Sequence, residues 1–195
     1  MLTRQDYNEV AQLHINSIDQ GFLSTLGERF LALLYRSIDE TPQAVLIVER
    51  CEGEIIGFVS GGQGMKAIYK TMLRHFPSLA WSLAPALLSP AKIWRILEIL
   101  RQKPASLSSE RPAWELFSIA VIPKVRGTGA AQDLYANFRQ ALLEQAVDRF
   151  AIVVGENLAP ANRFYYHMGA KPAGEIFVHG DSKSIVYVDH TQVGS

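Results

Sequence analysis

The sequence is short of several things, and each shortage narrows what it can do. It has one cysteine in 195 residues, Cys51. No intrachain disulfide can form, which fits a reducing compartment. It has no surplus of either charge: Lys and Arg total 19, Asp and Glu total 19, and the formal net charge is zero. Without a global field the chain has no general attraction for nucleic acid or an anionic membrane, so any anion site must be local. The start, MLTRQDYNEV, lacks the apolar core of a signal peptide, and this predicts a cytoplasmic protein. The span from His75 to Ala91 has no formal charge when His75 is neutral, but Pro77, Pro85 and Pro90 make it a poor transmembrane helix. No Gly-Lys-Ser/Thr phosphate loop and no Gly-x-Ser-x-Gly elbow occurs. His14, His75, His167, His179 and His190 are scattered without metal-ligand spacing. There is no internal repeat and no low-complexity linker.

What is present reads as one large domain over 1–195, with 48% hydrophobic residues to fill a core. Residues 6–18 place Val10, Leu13 and His14 on one helical face, with Asp6 as a candidate cap. Residues 27–40 place Phe30, Leu33, Leu34 and Ile38 on another. The β-branched runs 43–50 and 54–62 flank Cys51-Glu52-Gly53 and predict a hairpin. Residues 65–110 form a helical insertion, its patches broken by the prolines. Trp81 and Trp94 there, with Leu79, Leu83, Leu87, Leu88, Ile93, Ile96, Leu97 and Leu100, predict an apolar surface that needs a cover. The surface would be covered by folding over one side of the domain's cleft or by self-association, a homodimer first, with a membrane interface second. Then come a strand over 113–122, a helix over 129–148, and a nearly all-apolar strand over 149–156. A short helix over 159–169 has Pro160 in its first turn and Gly169 beyond its end, and a hairpin over 175–189 turns at Gly180-Asp181. The order predicts a mixed α/β sheet.

The stretch VIPKVRGTGAAQDL (121–134) puts a bare turn between a strand and a helix. The first amides of a helix lack partners, and its dipole is positive there. Gly127 and Gly129 keep side chains off the backbone, and Arg126 adds a forked cation. That combination suits a pyrophosphate. A tight connection with a solvated arginine reads as well from the turn alone. A dinucleotide fingerprint fails because Gln132 stands where its third glycine belongs.

The pattern that fits is Arg-x-x-Gly-x-Ala: Arg126, Gly129, Ala131. Preceded by ELFSIAVIP, it resembles the acetyl-CoA loop of the GNAT (Gcn5-related) N-acyltransferases. ENLAPANRFYYHMGAK resembles the other signature of that family, through Asn157, Ala161, Phe164, Tyr165 and Gly169. The resemblance implies a mixed, mostly antiparallel sheet flanked by helices, with strand 116–122 splayed from strand 149–156 and the pantetheine arm between them. Backbone groups of Ile119, Ala120 and Val121 would pair with that arm, and Arg126, Gly127, Thr128, Gly129, Ala130 and Ala131 would hold the pyrophosphate. Asn157, Ala161 and Phe164 would also line the cofactor site.

Acyl transfer to an amine needs a base for the amine and a proton for the departing thiolate. Tyr165 is the candidate proton donor, because a phenol is protonated at neutral pH; the alternative is a half-buried tyrosine bonded to backbone. Glu115, at the start of the strand, is the candidate base; the alternative is a solvated strand-end glutamate. The resemblance implies an acetyltransferase that uses acetyl-CoA and a small-molecule amine acceptor, with no metal. A domain of the same fold that holds acyl-CoA without turnover is the competing reading.

Overall fold

The computed structural model describes residues 2–18, 23–87, 111–177 and 183–192. Helix α1 (Arg4–Ser17) starts earlier than the spacing predicts, because Thr3 rather than Asp6 is its cap. The Thr3 hydroxyl accepts from the Asp6 amide at 3.3 Å, and Asp6 accepts from the Thr3 amide at 2.7 Å. This reciprocal box satisfies two otherwise orphaned donors. Asp6 also pairs with Arg50 at 2.7 Å, tying the helix start to the first strand. Helix α2 (Glu28–Asp39) buries Phe30, Leu33, Leu34 and Ile38, the face its spacing predicts.

Strands β1 (Ala44–Cys51) and β2 (Glu54–Gly62) form the expected hairpin. Its two turn residues, Glu52 and Gly53, both have positive φ, 52° and 89°. That is the turn whose twist matches paired strands. Helices α3 (Met65–Arg74) and α4 (Phe76–Leu87) follow. The expected break at Pro77 is found, since α3 is capped at His75 and α4 begins just before that proline; the expected break at Pro85 is corrected. Pro77 sits in the first turn of α4, where its missing N–H breaks no helical bond, and the helix continues past Pro85. Leu73, Phe76 and Trp81 are exposed on this pair, and Arg29 of α2 lies over the Trp81 ring at 5.7 Å. Trp94 and the other apolar residues beyond 87 lie outside the described residues, as does the Gly180-Asp181 turn.

Strand β3 (Trp114–Val121), helix α5 (Ala130–Glu144), strand β4 (Arg149–Gly155), helix α6 (Ala159–His167) and strands β5 (Lys171–Phe177) and β6 (Lys183–His190) complete the chain. Helix α5 ends before residue 148 because Ala146 turns left-handed, at φ 56°. Strand β5 begins directly after α6, earlier than the predicted 175.

The six strands lie in the order β1-β2-β3-β4-β6-β5, and only β3 and β4 run parallel. Two details of β3 position the site. Ser60 faces Ser118 and Gly61 faces Leu116, so β3 carries one extra residue, Phe117, against β2. Such a bulge bends a strand and raises its twist. The ladder to β4 covers Trp114–Leu116 against Phe150–Ile152 and then stops, at the bulge.

Each face of the sheet has its own core. One joins α1, α2 and α3 to Phe58 and Ala120. The other joins α5 and α6 to Trp114, Leu116, Phe150, Ile152 and Tyr187. Glycines in β2 let α5 come close: a Cβ on Gly61 would stand 2.5 Å from Phe138 Cζ.

Candidate active site

The end of β3 lacks a paired strand on its β4 side, and in the turn after it the Val125, Arg126 and Thr128 amides bond carbonyls of the turn itself, among the described residues. Ile119, Ala120 and Val121 pair on one side with Val59, Phe58 and Gly57 of β2. On the other side the ladder to β4 has already ended. Gly127 and Gly129 adopt φ of 80° and 102°, a region other residues rarely enter, and a Cβ at either would meet open space. The turn therefore needs glycine for its backbone angles, and its surface is bare. In the first turn of α5, the Asp133 amide finds the Gly129 carbonyl at 3.0 Å; the amides ahead of it have no carbonyl within the helix. Thr128 spends its hydroxyl on the Val125 carbonyl at 2.8 Å, which tightens the turn. Arg126 is exposed, and no ion pair engages it among the described residues. Ala130 is buried against the second core, so the helix start is anchored while its amides face outward.

Tyr165 lies on the buried face of α6, 6% exposed, among Tyr135, Phe164 and Tyr187 with ring centroids 5.2 to 6.3 Å away. Burial raises its phenol well above the ordinary tyrosine range, so it stays protonated. No hydrogen bond from its hydroxyl is found among the described residues. Tyr166 points outward and is exposed.

A second asparagine, not singled out from sequence, organises this corner. Asn157 is exposed. Asn162 donates to the Gly155 and Leu158 carbonyls, both at 2.9 Å, and accepts from Tyr187 Oη at 2.9 Å. It ties the end of β4 and the start of α6 to β6. A polar residue one turn into a helix that follows a strand end was the available signal, since that corner has carbonyls to satisfy. Ala161 and Phe164 are partly buried against the second core.

Glu115 sits on β3 between Trp114 and Leu116, both in the second core. By strand alternation its side chain lies on the opposite face, the side of the core that α1, α2 and α3 build. Arg111 Nη2 donates to Glu115 Oε2 at 2.7 Å, and the two side chains are 20% and 31% exposed. Burial pushes the carboxyl above its usual range, and Arg111 opposes that rise. Glu115 is thus neither freely solvated nor unpaired. Arg111 was not singled out from sequence, because it precedes the strand in an otherwise featureless stretch.

Further polar groups lie behind β3. His14 and Tyr35 Oη share a hydrogen bond, and Tyr35 is also bonded to the side chain of Ser118. Burial holds His14 neutral, its pKa lowered to about 4. A cavity of about 580 Å³ opens elsewhere, where β4 begins and β6 ends, between Arg139, Asp148, Lys171 and His190. Among the described residues no three His, Cys, Asp or Glu converge to hold a metal, and no helix is long and apolar enough to cross a membrane.

A model of the acetyltransferase (GNAT) family matches residues 14–170. No curated protein matches. Solved structures give the same fold at low identity. A protein described as a GNAT-family acetyltransferase from Desulfovibrio desulfuricans superposes with a TM-score of 0.63 at 14% identity, over 98% of this chain and 96% of that one. The ribosomal-protein-S18-alanine N-acetyltransferase of Escherichia coli gives 0.58 at 12% identity, over 100% and 93%. An aminoglycoside 6'-N-acetyltransferase complexed with coenzyme A gives 0.59 at 9% identity, over 99% and 94%.

Proposed function

We propose that this chain, which belongs to the acetyltransferase (GNAT) family, moves an acetyl group from acetyl-CoA to the primary amine of a small molecule. The observation that carries the reading is the free backbone along Ile119–Val121, continuous with the bare turn at Arg126–Ala131. A ligand with an amide-bearing arm and a pyrophosphate matches that run: strand-like pairing for the arm, then helix amides and a guanidinium for the anion.

The chemistry then divides between two side chains. The acceptor arrives as an ammonium, with a pKa of about 10 for a lysine-like amine. Glu115 takes one proton, directly or through a water. The freed nitrogen attacks the thioester carbon, its oxygen held by a backbone N–H of β3. The C–N bond forms and the C–S bond breaks. As the C–S bond breaks, the nitrogen gives up its second proton to solvent and the departing thiolate takes the Tyr165 proton; Tyr165 regains one from solvent and Glu115 releases its own, so each turnover frees one proton. The products are an amide and coenzyme A. Tyr165 suits its role because burial keeps its hydroxyl protonated and no partner among the described residues engages it.

The test has two parts. Acetyl-CoA should raise the melting temperature, because a ligand of the native state stabilises it by mass action. Gly129→Asp should abolish that rise by setting a carboxylate against the pyrophosphate. A folded Gly129→Asp protein that binds as the wild type does would remove the site from this turn. Turnover is read as free thiol release with acetyl-CoA and three amines: spermidine, an aminoglycoside and an alanyl peptide. Binding without thiol release from any amine would favour a non-catalytic acyl-CoA-binding domain.

A further inference from the structure

Glu115 is held in an unusual way for a strand-end carboxylate. Its ladder neighbours, Gly62 on β2 and Ala151 on β4, have no side chain that can bond it. Of the helices packed against β3, α1 brings His14 into the core, uncharged, and α5 lies on the other face, where Arg139 turns to Asp189. Tyr35 of α2 and Tyr69 of α3 pack on the same core as Phe117 and are kept protonated by burial. Arg111 is therefore the one charged group acting on Glu115 among the described residues. It lies three residues before β3, so the start of the strand fixes where the guanidinium sits. A bond of 2.7 Å through a single nitrogen, Nη2 to Oε2, leaves Oε1 without a partner among the described residues.

We infer that Arg111 is a positioning residue for Glu115: it pins one carboxylate oxygen and leaves the other to receive the acceptor's proton. A partly buried carboxylate without a counter-ion would be protonated over more of the pH range, and its side chain would be free to change rotamer. With Arg111 in place it stays ionised and aimed. The inference rests on the acetyl-transfer reading with Glu115 as base.

The experiment separates the two. The Glu115 side-chain carboxyl is followed by carbon NMR during a pH titration, its signal identified by its loss in Glu115→Gln. In Arg111→Met the midpoint should rise by about one pH unit or more, since an opposite charge at this distance lowers a carboxyl by 1–3 units. Arg111→Lys keeps a charge and should fall between the two. The acidic limb of the rate profile, read as thiol release from acetyl-CoA with the most active of the three amines, should shift with the midpoint. An unchanged midpoint in Arg111→Met overturns the inference whatever the activity. A midpoint that moves while Glu115→Gln keeps the wild-type rate profile removes Glu115 as base, and the inference goes with it. Acetyl-CoA binding without turnover in the wild type would sink the catalytic reading separately.

Discussion

The two faces of the sheet are filled by different chemistry. Beneath α5 and α6 the core is aromatic: Tyr135, Phe138, Phe150, Phe164, Tyr165 and Tyr187 meet largely edge to face or tilted. Beneath α1 and α2 aliphatic side chains surround a smaller group of rings, Tyr35 and Phe58 with His14, and polar contacts thread between them. These include His14 to Tyr35, Tyr7 to Asp39 at 2.6 Å, and Thr41 to Thr71 at 2.9 Å. The candidate acid lies on the first face and the candidate base on the second. Strand β3 has its side chains on both. Two groups on opposite faces of a sheet can serve one reaction only where the sheet is open, and the β3–β4 ladder ends one residue beyond Glu115.

The contrast can be broken from either side. The largest effect belongs to the aromatic face. Phe138 is fully buried, stacked edge-on against Phe150 at 5.3 Å. Phe138→Ala should cost about 3–5 kcal/mol, as transfer and cavity costs add, measured by urea denaturation. A loss below about 1 kcal/mol would show that this face collapses around gaps. The polar face should respond to acid instead. His14 has a folded pKa near 4 and an unfolded pKa of about 6.5. Between those values the unfolded chain binds a proton that the folded chain does not. Stability is thus full above about pH 6.5 and falls as the pH drops toward 4, by on the order of 3 kcal/mol. His14→Gln should flatten stability over that window; the same slope in the variant would assign it to other groups. The smallest effect sharpens the contrast at the site. Tyr165→Phe keeps the packed ring, so acetyl-CoA affinity should stay within a few fold while kcat drops by about 10²-fold. An unchanged kcat, with chemistry rate-limiting, would make Tyr165 a packing residue like its neighbours.

The same contrast explains what could be read from sequence. The aromatic face is built from consecutive elements whose motifs lie within the chain: Arg126, Gly129 and Ala131 in one turn, Phe164 and Tyr165 in one helix. Local spacing sufficed there, and Tyr165 came out as both a motif residue and a buried phenol. The hairpin was equally local, since Gly53 marks its turn. The polar face depends on pairs far apart in sequence. The spacing of Val10, Leu13 and His14 shows that His14 faces inward; only the packed helices show that Tyr35 meets it. The bulge at Phe117 was invisible for a similar reason, since it exists only as a mismatch between two strands. Pro85 misled because a penalty for breaking a helix is a local tendency that tertiary packing can outweigh. Asn162 and Arg111 were passed over because each is defined by the atoms it holds.

The short parallel ladder also has a mechanical side. Strands β3 and β4 are fastened at Trp114–Leu116 and Phe150–Ile152, and nowhere further along. Five residues of β3 continue beyond the fastening, an arm of about 16 Å at roughly 3.3 Å per residue. A change of about 5° at the fastened end would move the free end by about 1.4 Å, close to the width of one methylene. The separation of the strands at the free end of the arm would then be set at its fixed end, by how firmly the side chains of Trp114 and Phe150 are wedged. Trimming either residue would change that separation from a distance of several residues.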